Sequence, residues 1–325
     1  MEYVKLGNTG VEVSKICLGG MSFGDPTKWI HSWVLDEQET RNIVKKALDL
    51  GVNFFDTANV YSLGTSEEYL GKALKELANR EEIVIATKVS EEMRKGPNGK
   101  GLSRKAIFHE VNASLKRLDV DYIDLLYIHR WDDTTPIEET MEALHDLVKA
   151  GKVHYLGASS MYAWQFQKAQ YVAEKHGWTK FSVMQGHYNL LYREEEREMN
   201  PLCRDMGVAL VPYSPLAAGR LTRDWGSDSK RFKEDKVAQR KYDSTQESDQ
   251  YIVQRVKEIA EKYQATRSQI AVAWLWAKGV TSPVVGITKE KYLDDFVGAL
   301  DIHLTPEDIA YLEEPYVPHV IVGHQ

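Results

Sequence analysis

Three apolar runs in this chain each end on one polar side chain that can handle a proton. Asn53-Phe54-Phe55 runs into Asp56, Ile83 to Thr87 runs into Lys88, and Asp124 to Ile128 runs into His129. Tyr61 follows Asp56 by five positions. A carboxylate is costly to bury unless it is paired, so Asp56 at the end of a core strand calls for a nearby cation. If the three runs are neighbouring parallel strands, Asp56, Lys88 and His129 converge on Tyr61. A phenol has a reference pKa of roughly 10, and an adjacent ammonium favours the phenolate and lowers that value. The carboxylate would hold the ammonium in place, and the imidazole would hydrogen-bond a carbonyl oxygen or pass a proton to the phenol. Together they make a tuned proton donor beside a polarised carbonyl. Protonating the oxygen is half a reduction, and no side chain supplies a hydride, so a nicotinamide cofactor is implied.

Later residues suit that cofactor. Ser159, Ser160 and Gln185 have the polarity to hold a carboxamide, and Tyr213 can stack on the ring. Gly219-Arg220-Leu221 and Gly286-Ile287-Thr288-Lys289 can approach a pyrophosphate and the adenosine end. Thr288, Lys289 and Lys291 offer contacts for a 2′-phosphate, which favours NADPH over NADH.

The elements that must carry these residues alternate regularly. Glu2–Lys5 and Val11–Val13 flank Gly7-Asn8-Thr9-Gly10 and predict an N-terminal hairpin. Eight apolar runs follow: 16–20, 52–55, 83–86, 123–128, 153–157, 181–184, 208–212 and 283–286. Amphipathic helices lie between them. Asp36 with Glu39 and Thr266 with Gln269 have the spacing of helix-opening caps, and Ser66 and Ser103 are further cap candidates. The charged stretch from Arg193 to Met206 predicts a helix with a solvated face. The polar stretch from Ala217 to Gln250 predicts a loop; its part from Ser227 to Gln250 reads first as a plain surface loop, with a lid closing over bound cofactor as the alternative. Two helices, 251–263 and 268–278, follow it. Thr305-Pro306-Glu307 opens a short last helix, ahead of a tail from Pro315. This rhythm is that of a single α/β domain over residues 1–325, a (β/α)8 TIM barrel with an N-terminal β-hairpin and an extra C-terminal helix and tail. None of the glycines forms the G-x-G-x-x-G of a doubly wound nucleotide fold.

Composition narrows the classes. The net charge of −7 argues against a nucleic-acid or anionic-membrane partner. No apolar run approaches a membrane span, and no signal-peptide core opens the chain. Cys17 and Cys203 fit no metal-ligand spacing and no disulfide framework, which points to the cytoplasm and to no metal site.

The chain resembles the aldo-keto reductase family over nearly its whole length. The resemblance lies in D-T-A-x-x-Y-x-x-G-x-S-E-x-x-L-G at Asp56 to Gly71, A-T-K at Ala86 to Lys88, and the strand end at His129. It extends to G-x-S-x at Gly157 to Ser160 and Y-S-P-L at Tyr213 to Leu216. It implies an NADP-linked carbonyl reductase on a (β/α)8 barrel. Tyr61 would be the acid, Lys88 its tuner, Asp56 the anchor and His129 the residue that orients the carbonyl. It also implies that Ser214 and Leu216 contact the cofactor. Many members carry S-N where this chain has Ser159-Ser160, and Gln and Asn where it has Tyr292 and Phe296. Tyr292 is therefore expected to stack on the adenine and Asp295 to hold its amine. Within the family, I-H-R-W-D, G-A-S-S-M and Y-R-E-E-E-R-E-M resemble bacterial members, one group of which is associated with 1-deoxyxylulose 5-phosphate formation.

On the substrate side, Trp29, Trp33, Trp131, Tyr188 and Tyr192 lie on rim loops and would wall a pocket for a small-molecule carbonyl. Arg130 and Arg193 would meet an anionic group. The competing class is a cofactor-sensing subunit resembling the beta subunits of potassium channels, which keep the same tetrad. The acidic surface argues against it. A third class, a lyase or isomerase on the same barrel, would need no nicotinamide. The sequence leaves the oligomeric state open.

Overall fold

The computed structural model describes residues 1–225 and 235–324. β1 (Tyr3–Lys5) and β2 (Glu12–Ser14) form an antiparallel hairpin. Eight strands then make one parallel sheet: β3 (Cys17–Gly19), β4 (Phe54–Asp56), β5 (Val84–Val89), β6 (Ile123–Ile128), β7 (Val153–Ser159), β8 (Phe181–Gln185), β9 (Ala209–Leu210) and β10 (Val284–Gly286). β10 pairs with β3. The ring closes where Val284 N–H donates to the Pro212 carbonyl at 2.9 Å and Thr281 N–H to the Leu210 carbonyl at 2.9 Å. The fold is the (β/α)8 barrel that the alternating pattern predicts.

Period-two alternation decides what each strand presents. In β4 and β6, Phe54, Leu125 and Tyr127 point into the barrel. Phe55, Leu126 and Ile128 point out against the helices. The interior cluster also holds Cys17, Val84, Ala86, Val183, Ala209, Val211 and Val284, plugged from the hairpin side by Leu6 and Val13. Counting on by two from these residues gives the next layer toward the C-terminal rim. Phe54 leads to Asp56, Ala86 to Lys88, Tyr127 to His129, Gly157 to Ser159, Val183 to Gln185 and Val211 to Tyr213. The strands run further than the apolar runs suggest, so Asp56, Lys88, Ser159 and Gln185 lie within strands rather than just beyond them.

The outer layer is built from α1 (Glu37–Asp49), α2 (Thr65–Leu77), α3 (Arg104–Leu118), α4 (Ile137–Lys149), α5 (Ala163–His176), α6 (Met199–Asp205) and later helices. Asp36 and Glu39 make the expected capping box on α1, Thr266 and Gln269 make another at the start of Arg267–Ala277, and Ser103 caps α3. Thr305 and Pro306 open the last helix, Pro306–Glu313.

Three expectations are corrected. Ser66 does not cap α2. It lies inside the helix and donates to the Gly20 carbonyl at 2.7 Å, which ties α2 to the end of β3. The stretch from Arg193 to Met206 is a short turn and then α6, because Pro201 has no N–H to continue a helix through it and fits only in the first turn. Its acids are not all on a solvated face, although Glu198 and Asp205 are exposed. Glu194 and Glu195 are buried and hold the C-terminal tail through Tyr316, His319 and His324. The predicted loop 217–250 contains a helix at Lys236–Tyr242, and the next helix already begins at Gln246. Residues 226–234, with the first part of the expected lid from Ser227, lie outside the described residues. Among the described residues no helix is long and apolar enough to cross a membrane.

Candidate active site

The C-terminal rim brings Asp56, Lys88, Tyr61 and His129 together. Lys88 Nζ makes an ion pair with Asp56 Oδ1, donates to the Thr57 carbonyl at 2.8 Å and lies 3.4 Å from the Tyr61 hydroxyl. Asp56 Oδ2 accepts from Gln185 Nε2 at 2.9 Å. Both carboxylate oxygens are therefore used, as burial of a charge requires. The His129 ring lies edge-on to Tyr61, with centroids 5.8 Å apart, and its Nδ1 is buried without a protein partner.

The electrostatics differ from expectation at one point. Burial pushes the Tyr61 phenol above its ordinary value. Lys88 pulls it down and Asp56 pushes it up, and burial prevails. The ammonium therefore does not make a resting phenolate, and Tyr61 stays protonated. Burial alone would lower Lys88, but Asp56 and Tyr61 outweigh it and hold the ammonium above its usual value. Burial, with Arg130 and Lys88 adding to it, holds His129 well below the imidazole range and so neutral.

Local structure explains why Tyr61 reaches in. The loop after β4 turns through Ser62 and Leu63, both at φ 48°, a left-handed conformation costly for side chains with a Cβ. Behind the loop, Glu67 is fully buried, accepts from Thr87 Oγ1 at 2.6 Å and pairs with Arg117 at 2.6 Å. Thr87 precedes Lys88 and faces outward, so this network braces the strand that carries the lysine.

The cofactor candidates of β7, β8 and β9 also meet at the rim. Ser159 Oγ donates to the Gln185 carbonyl at 2.9 Å, and Ser160 Oγ lies 3.4 Å from the Tyr213 hydroxyl. Ser160 (φ 49°), Ser214 (57°), Ala217 (49°), Ala218 (54°) and Gly219 (90°) all have left-handed backbones. A residue on the right-handed side followed by a left-handed one, as Leu216 (φ −105°) and Ala217 (φ 49°) are, is the pairing from which a phosphate-receiving nest is built. Leu216 is partly buried against the core. Arg220, in the segment expected to approach the pyrophosphate, is buried. Its guanidinium is 1% exposed, packs over Tyr242 and bonds Asp243 at 2.5 Å. Gly286 has open space where a Cβ would stand, and Thr288 and Lys289 follow it on the same loop. Tyr292 and Asp295 lie on the next helix, Lys291–Gly298, with Lys291 over the Tyr292 ring.

The substrate candidates divide. Trp29 packs edge-on to Tyr61 with centroids at 5.9 Å, and His31 joins Trp29 to Trp33. Trp131 faces Trp164 of α5 at 6.2 Å. Arg130 Nη1 donates to the His129 carbonyl at 2.6 Å. Tyr188, Tyr192 and Arg193 are not pocket walls. Tyr188 is buried on Trp274, Tyr192 is fully buried, and Arg193 is held by Glu196 and Glu313. His31 and Trp164 escaped the sequence reading. His31 lies in a loop without periodicity, and Trp164 has the spacing of an ordinary helix residue.

Comparison with known proteins identifies the family. The model of the Aldo/keto reductase family matches residues 15–316. A versiconal hemiacetal acetate reductase of Aspergillus parasiticus is 44% identical over 343 aligned positions, covering 99% of this chain and 98% of that protein. An aldo-keto reductase of Metarhizium robertsii is 45% identical and covers 100% and 93%. A protein of Schizosaccharomyces pombe with the provisional name aryl-alcohol dehydrogenase is 45% identical and covers 99% and 97%. With a family match over most of its length and relatives aligned end to end, the chain belongs to the aldo/keto reductase family.

Proposed function

We propose that the protein is an NADPH-dependent reductase of aldehydes and ketones, with Tyr61 as the proton donor. The observation that carries this reading is the protonated Tyr61 hydroxyl 3.4 Å from a buried, carboxylate-anchored ammonium, beside a neutral imidazole with an unpartnered nitrogen. The rim fits a nicotinamide dinucleotide. Tyr213 offers a ring, Ser159, Ser160 and Gln185 offer polar groups, the turn at 214–219 offers a backbone cradle, and Thr288, Lys289 and Lys291, after Gly286, offer contacts for a 2′-phosphate. Such a cofactor, when bound, supplies the hydride.

The remaining chemistry belongs to the side chains. Neutral His129 donates a hydrogen bond to the carbonyl oxygen and fixes its direction. Tyr61 gives its proton to that oxygen as negative charge develops there. Lys88 steadies the phenolate left behind, which is how a phenol with a raised resting pKa still acts as an acid. Asp56 keeps Lys88 charged and aimed, and Gln185 keeps Asp56 in place. Trp29, Trp33 and Trp131, with His31 and Trp164, would receive an apolar or aryl group. The names of the two relatives that specify a substrate, a hemiacetal acetate and an aryl alcohol, support that class.

A second reading, a sugar phosphate of the kind linked to 1-deoxyxylulose 5-phosphate, is favoured by Arg130 at the rim. The aryl reading is preferred because aromatic rings outnumber cations around Tyr61. A cofactor-sensing subunit would bind NADPH without turnover. The cytoplasm suits the chain, whose two thiols are free and buried.

The test is NADPH oxidation with an aryl aldehyde and with a sugar phosphate. Tyr61→Phe is expected to cut kcat by roughly 10²- to 10⁴-fold while NADPH affinity stays near normal. Undiminished turnover in that variant would end the assignment of the acid. Absence of turnover on every carbonyl, with tight NADPH binding, would favour the sensor.

A further inference from the structure

Beyond the ends of β8 and β9 the two chains stay in parallel register, so that His187 lies directly beside Tyr213. Tyr213 N–H donates to the Gly186 carbonyl at 3.0 Å and fixes that register. His187 is two residues past Gln185 and so faces the same way. Its imidazole lies nearly parallel to the Tyr213 ring, at 8° with centroids 5.3 Å apart. On the Tyr192 ring it lies at 14° with centroids 4.2 Å apart. The three rings form one stack. Its inner members are clamped: His187 Nε2 and the Tyr242 hydroxyl are 2.7 Å apart, Asn189 Nδ2 donates to the same hydroxyl at 3.1 Å, and the Tyr192 hydroxyl accepts from Val322 N–H of the tail at 3.2 Å. His187 is 1% exposed and its Nδ1 has no protein partner, so the ring is held for its plane more than for its polarity. Burial, with Lys241 and the tail histidines His324 and His319 adding to it, keeps it neutral, as a stacked ring beside cations should be.

We propose that His187 is a positioning residue for the cofactor: it holds the Tyr213 ring at the tilt at which that ring meets the nicotinamide. This rests on the reading of Tyr213 as a nicotinamide platform. A parallel aromatic neighbour is worth a factor of about two to ten in a binding constant. His187 contributes that factor by arranging the platform before the cofactor arrives.

The experiment titrates NADPH against tryptophan fluorescence and measures steady-state turnover, for wild type, His187→Leu, His187→Phe and Tyr242→Phe. The leucine variant is expected to raise the NADPH Kd and KM by about twofold to tenfold, with the loss falling on KM rather than on kcat. The phenylalanine variant, which keeps a flat ring but no hydrogen bond, is expected to return to within about twofold of wild type. A merely structural role would lower Tm without this KM-against-kcat split and without rescue by phenylalanine. If the leucine variant does not fold, Tyr242→Phe decides. It removes the hydroxyl that the imidazole and Asn189 share, keeps the ring, and is expected to raise Kd by about twofold to threefold. An unchanged Kd in a folded His187→Leu, or in Tyr242→Phe where leucine does not fold, overturns the proposal and leaves the reductase reading intact. Failure of phenylalanine to rescue a weakened leucine variant does the same. A wild type that binds no NADPH overturns both.

Discussion

The two ends of the barrel are built on opposite principles. At the hairpin end, Leu6, Val13, Cys17, Phe54, Val84 and Val284 fill the interior with apolar groups and no charge. The hairpin closes against the wall so tightly that Gly7, at φ 59°, has backbone atoms of Gly207 and Ala209 within 2.8 Å of where a Cβ would stand. At the other end the same strands present Asp56, Lys88 and His129, all buried. The loops leaving that end hold Ser62, Leu63, Ser160, Ser214, Ala217 and Ala218 in left-handed backbones. Each such residue costs on the order of 1–3 kcal/mol. One end stores stability, and the other is held in shape by it. Left-handed residues also cap helices at Asp119 and Gln264, but the functional end gathers them in its loops.

The sharpest way to break this contrast is at Lys88. Lys88→Met leaves Asp56 buried without its cation. Turnover should fall by orders of magnitude, and unfolding in denaturant should show a loss of about 3–5 kcal/mol. A variant as stable as wild type would mean that the ion pair is not a buried one. At the opposite end, Phe54→Ala should cost about 3–5 kcal/mol by cavity formation, yet leave KM and kcat of the folded fraction close to wild type. A specific loss of activity there would blur the division.

Acid should act through the rim. The folded-state values of His129 and His187 lie well below 6.5, chiefly through burial. As pH falls below about 6.5 the unfolded chain takes up protons that the native rim refuses, so stability declines toward acid. His319 has the opposite sign. Burial pulls it down, but Asp249 outweighs that and raises it, so its contribution is full below 6.5 and is lost as pH rises through its native value. Thermal melts across this range should show the acid-side decline reduced in His187→Phe and the alkaline-side decline reduced in His319→Asn. Melts of both variants that parallel wild type would remove the histidines from the account. The smallest effect is expected from Ala218→Gly, where relief of the left-handed alanine is largely offset by glycine's chain entropy. Stability should change by no more than about 1 kcal/mol, while NADPH binding loosens measurably if that turn receives phosphate.

Much of the rim was legible in the sequence, for a physical reason. A strand with a buried inner face must be apolar at every second position, so a polar residue that ends such a run marks the place where the interior meets the rim. That rule locates Asp56, Lys88, His129, Gln185 and Tyr213. It says nothing about His187 or His31, which lie beyond the strands. It also cannot distinguish Glu194 and Glu195 turned inward to hold a tail from the same residues turned to water, since the letters are identical in both cases. The sign of the Tyr61 shift was misjudged because the sequence shows the neighbouring charge but not the depth of burial that overrides it. The burial of Arg220 was hidden for the same reason, because nothing in Gly219-Arg220-Leu221 reveals that Tyr242 and Asp243 fold back over it.

The pairing of β10 with β3 has a consequence for how the molecule is made. During synthesis the flank of β3 at residues 17–19 emerges early, whereas its partner at 284–286 lies more than two hundred residues later. Until that segment leaves the ribosome the nascent sheet has an open margin of unpaired amides, the feature by which incomplete chains associate with one another. Truncated or stalled products of this gene should therefore be sticky, even though the finished ring offers no such margin.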